Sequence, residues 1–431
     1  MNLIKETLHN YMNQLDKHQY FNGSVLVGYK GEVLFSKGYG QASYQYQIPS
    51  TSTTKYRVGS LTKAFTAMAI LILHEQGKLS IEDTIDAFLP EYKHGHKISI
   101  ENLVMQTSGI PNFTSAPDYW THKMRLPNTL ENIISEIVEM ELDFEPGVEM
   151  DYSNSNYHLL TFIVEKASGQ TYAKFIEDHI INVIGLKNTG VDNGRTIVPN
   201  LATGHTIQEE IIHTEFIDMS FPLGTYGIYS TVEDLYVWSQ ALLSNKLVDA
   251  QLQAKMFHAN GMPYSYGWFV EEEGEIVSHF GDINGFVNHF TIFVEEELTV
   301  IVLSNLNITP VTHISETLAN IVLGKPYVEM EDFNRIEKPL SLELLTGDYA
   351  PVKVDYSNGR LFATIPKMYG VPYRFGLTPV NATNTTIVCK SEFINDTYTF
   401  EIDESGEPLL VKVKNCAGVE TNYTFLERNR R

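Results

Sequence analysis

Cysteine is nearly missing: Cys389 and Cys416 are the two in 431 residues. So few thiols exclude a disulfide framework as the source of the fold. The expectation is two reduced core thiols, with a single bridge between them as the alternative. Long hydrophobic runs are also missing. The longest near-apolar stretch, Ala64 to Leu73, is about half of what a bilayer requires, so no transmembrane segment is expected. Positive charge is scarce, with 31 Lys and Arg against 53 Asp and Glu and a net charge of −22. An acidic surface repels phosphate backbones and anionic lipid, which argues against nucleic acid or a membrane as the main partner. Metal-ligand spacing is sparse. His94-Gly-His96 lies in a polar loop without further ligands, so no metal and no cofactor are expected. No segment repeats at a period of 20–50 residues. The opening stretch "MNLIKETLHNYMNQLDKHQ" mixes charge with a helical apolar pattern and shows no leader-type core and cleavage site. The expected location is cytoplasmic, or extracytoplasmic if a leader had been trimmed.

What is present is a well-cored globular composition, 43% apolar and 19% charged, in a chain long enough for two domains. Residues 22–49 alternate apolar and polar around "YKGE", a hairpin signature. A long apolar helix is expected from near Ser60 to a C-terminal glycine at Gly77. "LSIEDTIDAFLP" reads as a short helix capped by Ser80. From about 98 to 190 the pattern is mostly helical, with "ISIENLVMQTSGIP" as a capped helix and "SNYHLLTFIVEKASGQ" as a helix ended by Gly169. "YSTVEDLYVWSQALLSN" adds a helix with a capping-box-like start. Strand texture returns after 264, followed by a closing helix, "VTHISETLANIVLG". Strands at both ends with helices between them predict an α+β domain, one sheet with a helical insert, over 1–335. Beyond a polar connector, Gly324 to Leu340, short strands and turns predict a small all-β barrel or sandwich over 336–431.

Three short segments carry possible chemistry. Ser60-Leu-Thr-Lys63 follows a glycine and opens the apolar helix. Residues three apart share a helix face, so the amine can reach the hydroxyl, and a buried lysine has a lowered pKa and can act as a base. Ser52-Thr-Thr-Lys55 has the same spacing but lies in a polar loop, where nothing desolvates its lysine. Tyr152-Ser153-Asn154 precedes a helix; a tyrosine near a lysine can serve as general acid or base. Its copies at Tyr20–Asn22 and Asp355–Asn358 show how weak the pattern is alone; the second, followed by Gly359, reads as a hairpin turn. His279-Phe280-Gly281 falls on or just after a strand, with glycine allowing close approach to the backbone.

Taken in order, S-x-x-K, Y-x-N and H-x-G resemble the serine penicillin-recognising hydrolases. The nearest likeness is to the group of class C β-lactamases, low-molecular-weight penicillin-binding proteins, D-aminopeptidases and related esterases. The resemblance covers roughly residues 15–325. It implies a β-lactamase/transpeptidase-like antiparallel sheet flanked by helices, and the all-β tail is similar to accessory barrels of some such hydrolases. Residue by residue, it implies Ser60 as the acyl-accepting nucleophile and Lys63 with Tyr152 as the proton-moving pair. Asn154 would hold the substrate amide, and His279 and Gly281 would line the opposite wall. The oxyanion hole would be the N–H groups of Ser60 and Asp282.

Two departures bear on the substrate. Relatives that hydrolyse β-lactams usually carry Lys-Thr-Gly in the third motif. Here His279 and Phe280 remove a positive charge and a hydroxyl that would meet a substrate carboxylate. The acidic Asp282 beside an anion-binding position is unexpected. Gln106 stands where relatives often have histidine. The expected reaction is therefore cleavage of an amide or ester in a small molecule or peptide, such as a D-amino-acid peptide. Small-ester hydrolysis or weak β-lactamase activity is the second reading. A penicillin-binding or cell-wall-sensing module without turnover is the third.

Overall fold

The computed structural model describes residues 1–258, 261–271, 274–330, 332–336, 342–367 and 370–427. Its first sheet is antiparallel and seven-stranded. The strands are β1 (Gly23–Tyr29), β2 (Glu32–Tyr39), β3 (Tyr264–Ser265), β4 (Trp268–Glu271), β5 (Ile276–Ile283), β6 (Phe286–Phe293) and β7 (Leu298–Ser304). Their order is β3-β4-β5-β6-β7-β1-β2, so N- and C-terminal strands meet at the β1–β7 pairing. The β1–β2 turn uses Lys30 and Gly31, both at positive φ, the backbone a tight hairpin needs.

Alternation decides the faces of this sheet. Val25, Val27, Val300 and Val302 point to one side, where α1 (Asn2–Lys17) and the closing helix Val311–Leu323 cover them. Leu26, Ile301 and Leu303 point to the other, into the larger core built by the helical insert. The centre of that core is α2 (Thr62–Glu75), whose residues Thr62 to Leu73 are all buried. An all-round apolar helix has no solvent face, and each fully buried large aliphatic or aromatic side chain contributes about 1.5–3 kcal/mol. It rests against α3 (Asn154–Ser168), which ends at Gly169 in the left-handed conformation, and against α4 (Leu223–Tyr226).

Two local expectations need correction. The α-helix does not begin at Ser60. Gly59 at φ +57 and a 3-10 turn over Gly59–Leu61 come first, and the regular helix starts at Thr62. A left-handed residue cannot continue a right-handed helix, so the serine is held in the entry turn. Residues 80–90 form a turn and a 3-10 segment at Ile85–Ala87 in place of a capped helix. The Asp83 carboxylate accepts from the Ser80 N–H at 2.7 Å and Ser80 Oγ from the Glu82 N–H at 3.3 Å. Local side-chain bonds thus take up groups a helix would have used.

Downstream, eight strands form one sheet curled into a half-barrel. They are β8 (Gly347–Asp348), β9 (Lys353–Ser357), β10 (Arg360–Ile365), β11 (Tyr373–Ala382), β12 (Thr386–Ser391), β13 (Thr397–Ile402), β14 (Pro408–Lys414) and β15 (Glu420–Thr424), in sequential order. Its ends meet at a bridge between Asp348 and Glu427. The repeated Asp355–Asn358 segment is its β9–β10 hairpin, with Asn358 and Gly359 at positive φ. This sheet is not self-contained. A hairpin of the upstream region, His205–Gln208 with Glu210–His213, joins it through Arg374↔Gln208. Ile207, Leu306 and Ile308 enter its core. Both cysteines are unbridged; Cys389 is buried and Cys416 half-buried. Part of the expected connector, 331 and 337–340, lies outside the described residues. Among the described residues no helix is long and apolar enough to cross a membrane.

Candidate active site

Ser60, Lys63, Tyr152, Asn154 and His279, far apart in the sequence, converge on one cleft of about 390 Å³. The entry turn fixes Ser60. Thr62 Oγ1 donates to the Gly59 carbonyl at 2.7 Å and accepts from the Ile228 N–H at 3.1 Å, which ties the turn to the strand beside it. One turn on, Lys63 is completely buried. Its Nζ is 2.9 Å from Ser60 Oγ, 2.9 Å from Asn154 Oδ1 and 3.0 Å from the Thr225 carbonyl. No carboxylate is among these partners, and burial drives the ammonium well below the usual lysine range.

Tyr152 closes the other side. Its ring centre lies 4.9 Å from Lys63 Nζ, and it lines the cleft together with Ser60. Burial raises its pKa, so the phenol is neutral. Asn154 is the first residue of α3. Besides accepting from Lys63, it donates from Nδ2 to Thr114 Oγ1 at 3.1 Å, and its N–H goes to Asn112 Oδ1 at 3.1 Å.

The opposite wall is β5. His279 is buried and bonds Tyr264 Oη at 3.3 Å through Nε2 and the Phe280 carbonyl at 2.6 Å through Nδ1. Burial is the largest cause that pushes it down to about 3, so it is a neutral ring at working pH. It cannot stand in for a cationic lysine. Phe280, 42% exposed, forms the rim together with Trp120 and Phe269, and strand alternation does not remove it from the cleft.

Gly281 does not line the cleft; it lets β5 press on the entry turn. A Cβ there would lie 2.1 Å from the Val58 carbonyl oxygen, and a Cβ on Gly59 would lie 2.8 Å from the Asp282 nitrogen. Any larger residue at 281 pushes the strand away. The Ser60 turn and the Asp282 N–H are therefore neighbours, as an oxyanion hole built from those two N–H groups requires.

Besides Gln106, already singled out in the sequence, several residues had no motif to reveal them. Asn288, across from Gly281, donates to the Arg57 carbonyl at 3.0 Å and the Gly281 carbonyl at 3.3 Å. An asparagine inside the apolar strand "GFVNHFTIF" is the signal that could have found it. Gln106 accepts from the Ser153 N–H at 3.1 Å and from Asn156 Nδ2 at 2.6 Å, so it shapes the turn that presents Tyr152. The Thr225 carbonyl and Asn112 left no signal, because a backbone acceptor and a lone loop asparagine have no spacing to read. The alternative S-x-x-K lies outside the cleft: Ser52 Oγ donates to Glu233 Oε1 at 2.7 Å.

Residues 5–323 match the family model described as Beta-lactamase. The chain belongs to the Beta-lactamase family. "Protein flp" of Staphylococcus aureus (strain MW2) is 31% identical over 332 residues, 73% of this chain. The chain spans 66% of the length of that relative. "Putative penicillin-binding protein PbpX" of Bacillus subtilis (strain 168) is 30% identical over 300 residues, 69% of this chain and 73% of the relative. A solved structure described as the octameric penicillin-binding protein homologue from Pyrococcus abyssi superposes with a TM-score of 0.67 at 22% identity. It covers 95% of this chain and 97% of its own. That coverage extends the shared fold to the C-terminal sheet. In the structure Ser60-Leu-Thr-Lys63 lies at the helix entry, Tyr152-Ser153-Asn154 on the facing turn and His279-Phe280-Gly281 on the wall strand.

Proposed function

We propose that this chain is a serine hydrolase that forms an acyl-enzyme on Ser60 and cleaves an amide or ester. The observation that carries the reading is the bonding of Lys63. Two of its three partners, Asn154 Oδ1 and the Thr225 carbonyl, can only accept. As a neutral amine it gives its two N–H bonds to them and turns its lone pair to the Ser60 hydroxyl. Burial, which lowers its pKa well below the usual lysine range, favours that neutral form.

In acylation Lys63 takes the Ser60 proton as Oγ attacks the substrate carbonyl. The developing oxyanion lies between the Ser60 and Asp282 N–H groups. Tyr152, held neutral by burial and lining the cleft beside Ser60, hands a proton to the departing amine or alcohol and recovers it through Lys63. Water, or a second nucleophile, then attacks the ester on Ser60. Asn154 holds the amide of the substrate.

The walls of the cleft support one substrate class over another. Trp120, Phe269 and Phe280 are apolar, His279 is neutral, and Lys63 is occupied by the nucleophile. Nothing here repeats the lysine and threonine that meet the carboxylate of a β-lactam. This favours peptide amides, with D-amino-acid peptides as the family precedent, and small esters over β-lactams. Intact-mass measurement after exposure to D-peptide, ester and β-lactam panels tests the reading. One acyl group is expected per chain, absent in Ser60→Ala. No adduct on wild type with any probe, and no turnover, leaves the binding-module alternative.

A further inference from the structure

Asp282 stands at the oxyanion position and carries a carboxylate. It lines the cleft together with Ser60, Asn154 and Phe280. Its backbone touches the entry turn. A Cβ on Gly59 would lie 2.8 Å from the Asp282 nitrogen and 2.9 Å from its carbonyl oxygen. Asp282 and Phe280 are two residues apart on β5, so their side chains leave the strand on the same face. Phe280 forms the rim, and the half-buried Asp282 is its neighbour on that side.

The charge around this position is negative. Of the titratable side chains that line the cleft, Tyr152 and His279 are neutral. Lys63, beneath the cleft, is bonded to Ser60 and held well below the usual lysine range by burial. The C-terminal sheet brings a buried ammonium to this end of β5. Lys367, in the loop between β10 and β11, lies 3.6 Å from Glu215 Oε2. Glu215 is tied to the wall strand, since its carbonyl accepts from Asn284 Nδ2 at 2.9 Å, two residues beyond Asp282. Two carboxylates against one ammonium leave this end negative. Such a charge repels a substrate carboxylate. It also opposes a developing oxyanion, unless a cation arrives with the substrate.

We propose that Asp282 is a specificity-determining residue that selects amides and esters with an ammonium group on the carbon beside the scissile carbonyl, as in an amino-acid amide or an unblocked peptide N-terminus. This rests on the hydrolase reading above. The grip has two points on one residue. The substrate carbonyl oxygen lies about 3 Å from the Asp282 N–H. The α-nitrogen is two bonds from the carbonyl carbon, which brings it beside the carboxylate of the same residue. A carboxylate has about four lone-pair sites, so this contact adds to whatever else Asp282 binds. The ammonium balances the carboxylate while charge develops on the oxygen, so it acts in the transition state as well as in binding. Trp120, Phe269 and Phe280 offer apolar faces to the substrate side chain, and aromatic faces accept a nearby cation. An acidic residue at an anion-binding position is thereby accounted for.

The test is hydrolysis of one matched series: phenylalanine amide and methyl ester, in both enantiomers, with the amine free, N-acetylated or N-succinylated. Wild type, Asp282→Asn and Asp282→Ser are compared as full chains by kcat and KM, with p-nitrophenyl acetate as a substrate without charge. Wild type is expected to prefer the free amine to the N-acetyl form by about 10-fold or more in kcat/KM, with the N-succinyl form slowest. Both variants should bring the free-amine to N-acetyl ratio within about threefold and raise the N-succinyl form relative to the other two. A wild-type ratio below about threefold overturns the inference. So does a preference that both variants keep, since the amine is then recognised elsewhere. If neither variant folds, the salt dependence of wild type gives the answer: the preference must shrink as ionic strength rises, and a constant preference overturns the role. A wild type that hydrolyses p-nitrophenyl acetate but not the free-amine compounds overturns this role alone. A wild type inactive on every substrate, p-nitrophenyl acetate included, overturns the hydrolase reading and this role with it.

Discussion

Ser52–Lys55 and Ser60–Lys63 carry the same four-residue pattern eight residues apart, and the molecule uses them differently. Ser52 bonds the carboxylate of Glu233, and the half-buried Lys55 extends over the Tyr229 ring at 5.9 Å. Lys63 is inside the largest core and touches the serine of its own motif. The spacing is the same in both, but only Lys63 reaches the serine of its motif. Only desolvation without a counter-ion makes the amine a base. The Tyr-x-Asn pattern gives the same lesson, since its copy near Asp355 is a β-hairpin turn while Tyr152 faces Lys63.

The contrast can be broken most directly at the two serines. Ser60→Ala should abolish the acyl adduct and reduce ester turnover by about 10⁴-fold or more, the scale of losing an activated nucleophile. Ser52→Ala should change turnover by less than about twofold. Adduct formation on Ser52 would end the argument. The lysines come next. Lys63→Met should cost about 10³-fold in kcat, and Lys55→Met almost nothing, both read from initial rates.

A third comparison uses glycines. Gly281→Ala must displace either β5 or the Val58 carbonyl, 2.1 Å from the new methyl. Turnover should fall about 100-fold through the lost oxyanion donor. Gly359→Ala meets no atom within 4 Å but is forced to φ +80. It should cost about 1 kcal/mol of stability and leave the rate unchanged. Equal rates for both variants would remove β5 from the oxyanion site.

The smallest effect is one of linkage. Lys63 has a folded pKa well below that of the unfolded chain, about 10.4. Between those values the unfolded chain holds a proton that the folded chain does not, so folding becomes more favourable as pH rises through the window. Urea midpoints of wild type minus Lys63→Met should therefore increase from pH 7 to pH 10. A flat difference would mean that Lys63 is charged in the fold.

Much of the site was readable because its chemistry needs particular residue types in a particular order. Ser60, Tyr152, Asn154 and His279 line the cleft, and Lys63 lies beneath it, bonded to Ser60 and Asn154. Turn and cap signals were also readable, since Gly31, Gly169 and Gly359 do work that other residues resist. Other features lay beyond local pattern. The 3-10 entry at Ser60 depends on Gly59 meeting β5. The open fate of "LSIEDTIDAFLP" depends on side chains competing for its backbone. Phe280 sits at the cleft rim with Trp120 and Phe269, which no local pattern shows.

The sequence by itself determined the residues that can do chemistry, and their order, because helix and strand periods are local and the motifs fall within one turn or one strand. The tertiary structure decided which copies matter. Burial and long-range neighbours set the charge state of Lys63, the pressing of Gly281 on the Val58 carbonyl, and the contact of Lys367 with Glu215 across 152 residues. Those properties depend on what surrounds a side chain once the chain is closed, and no window of neighbouring residues contains that.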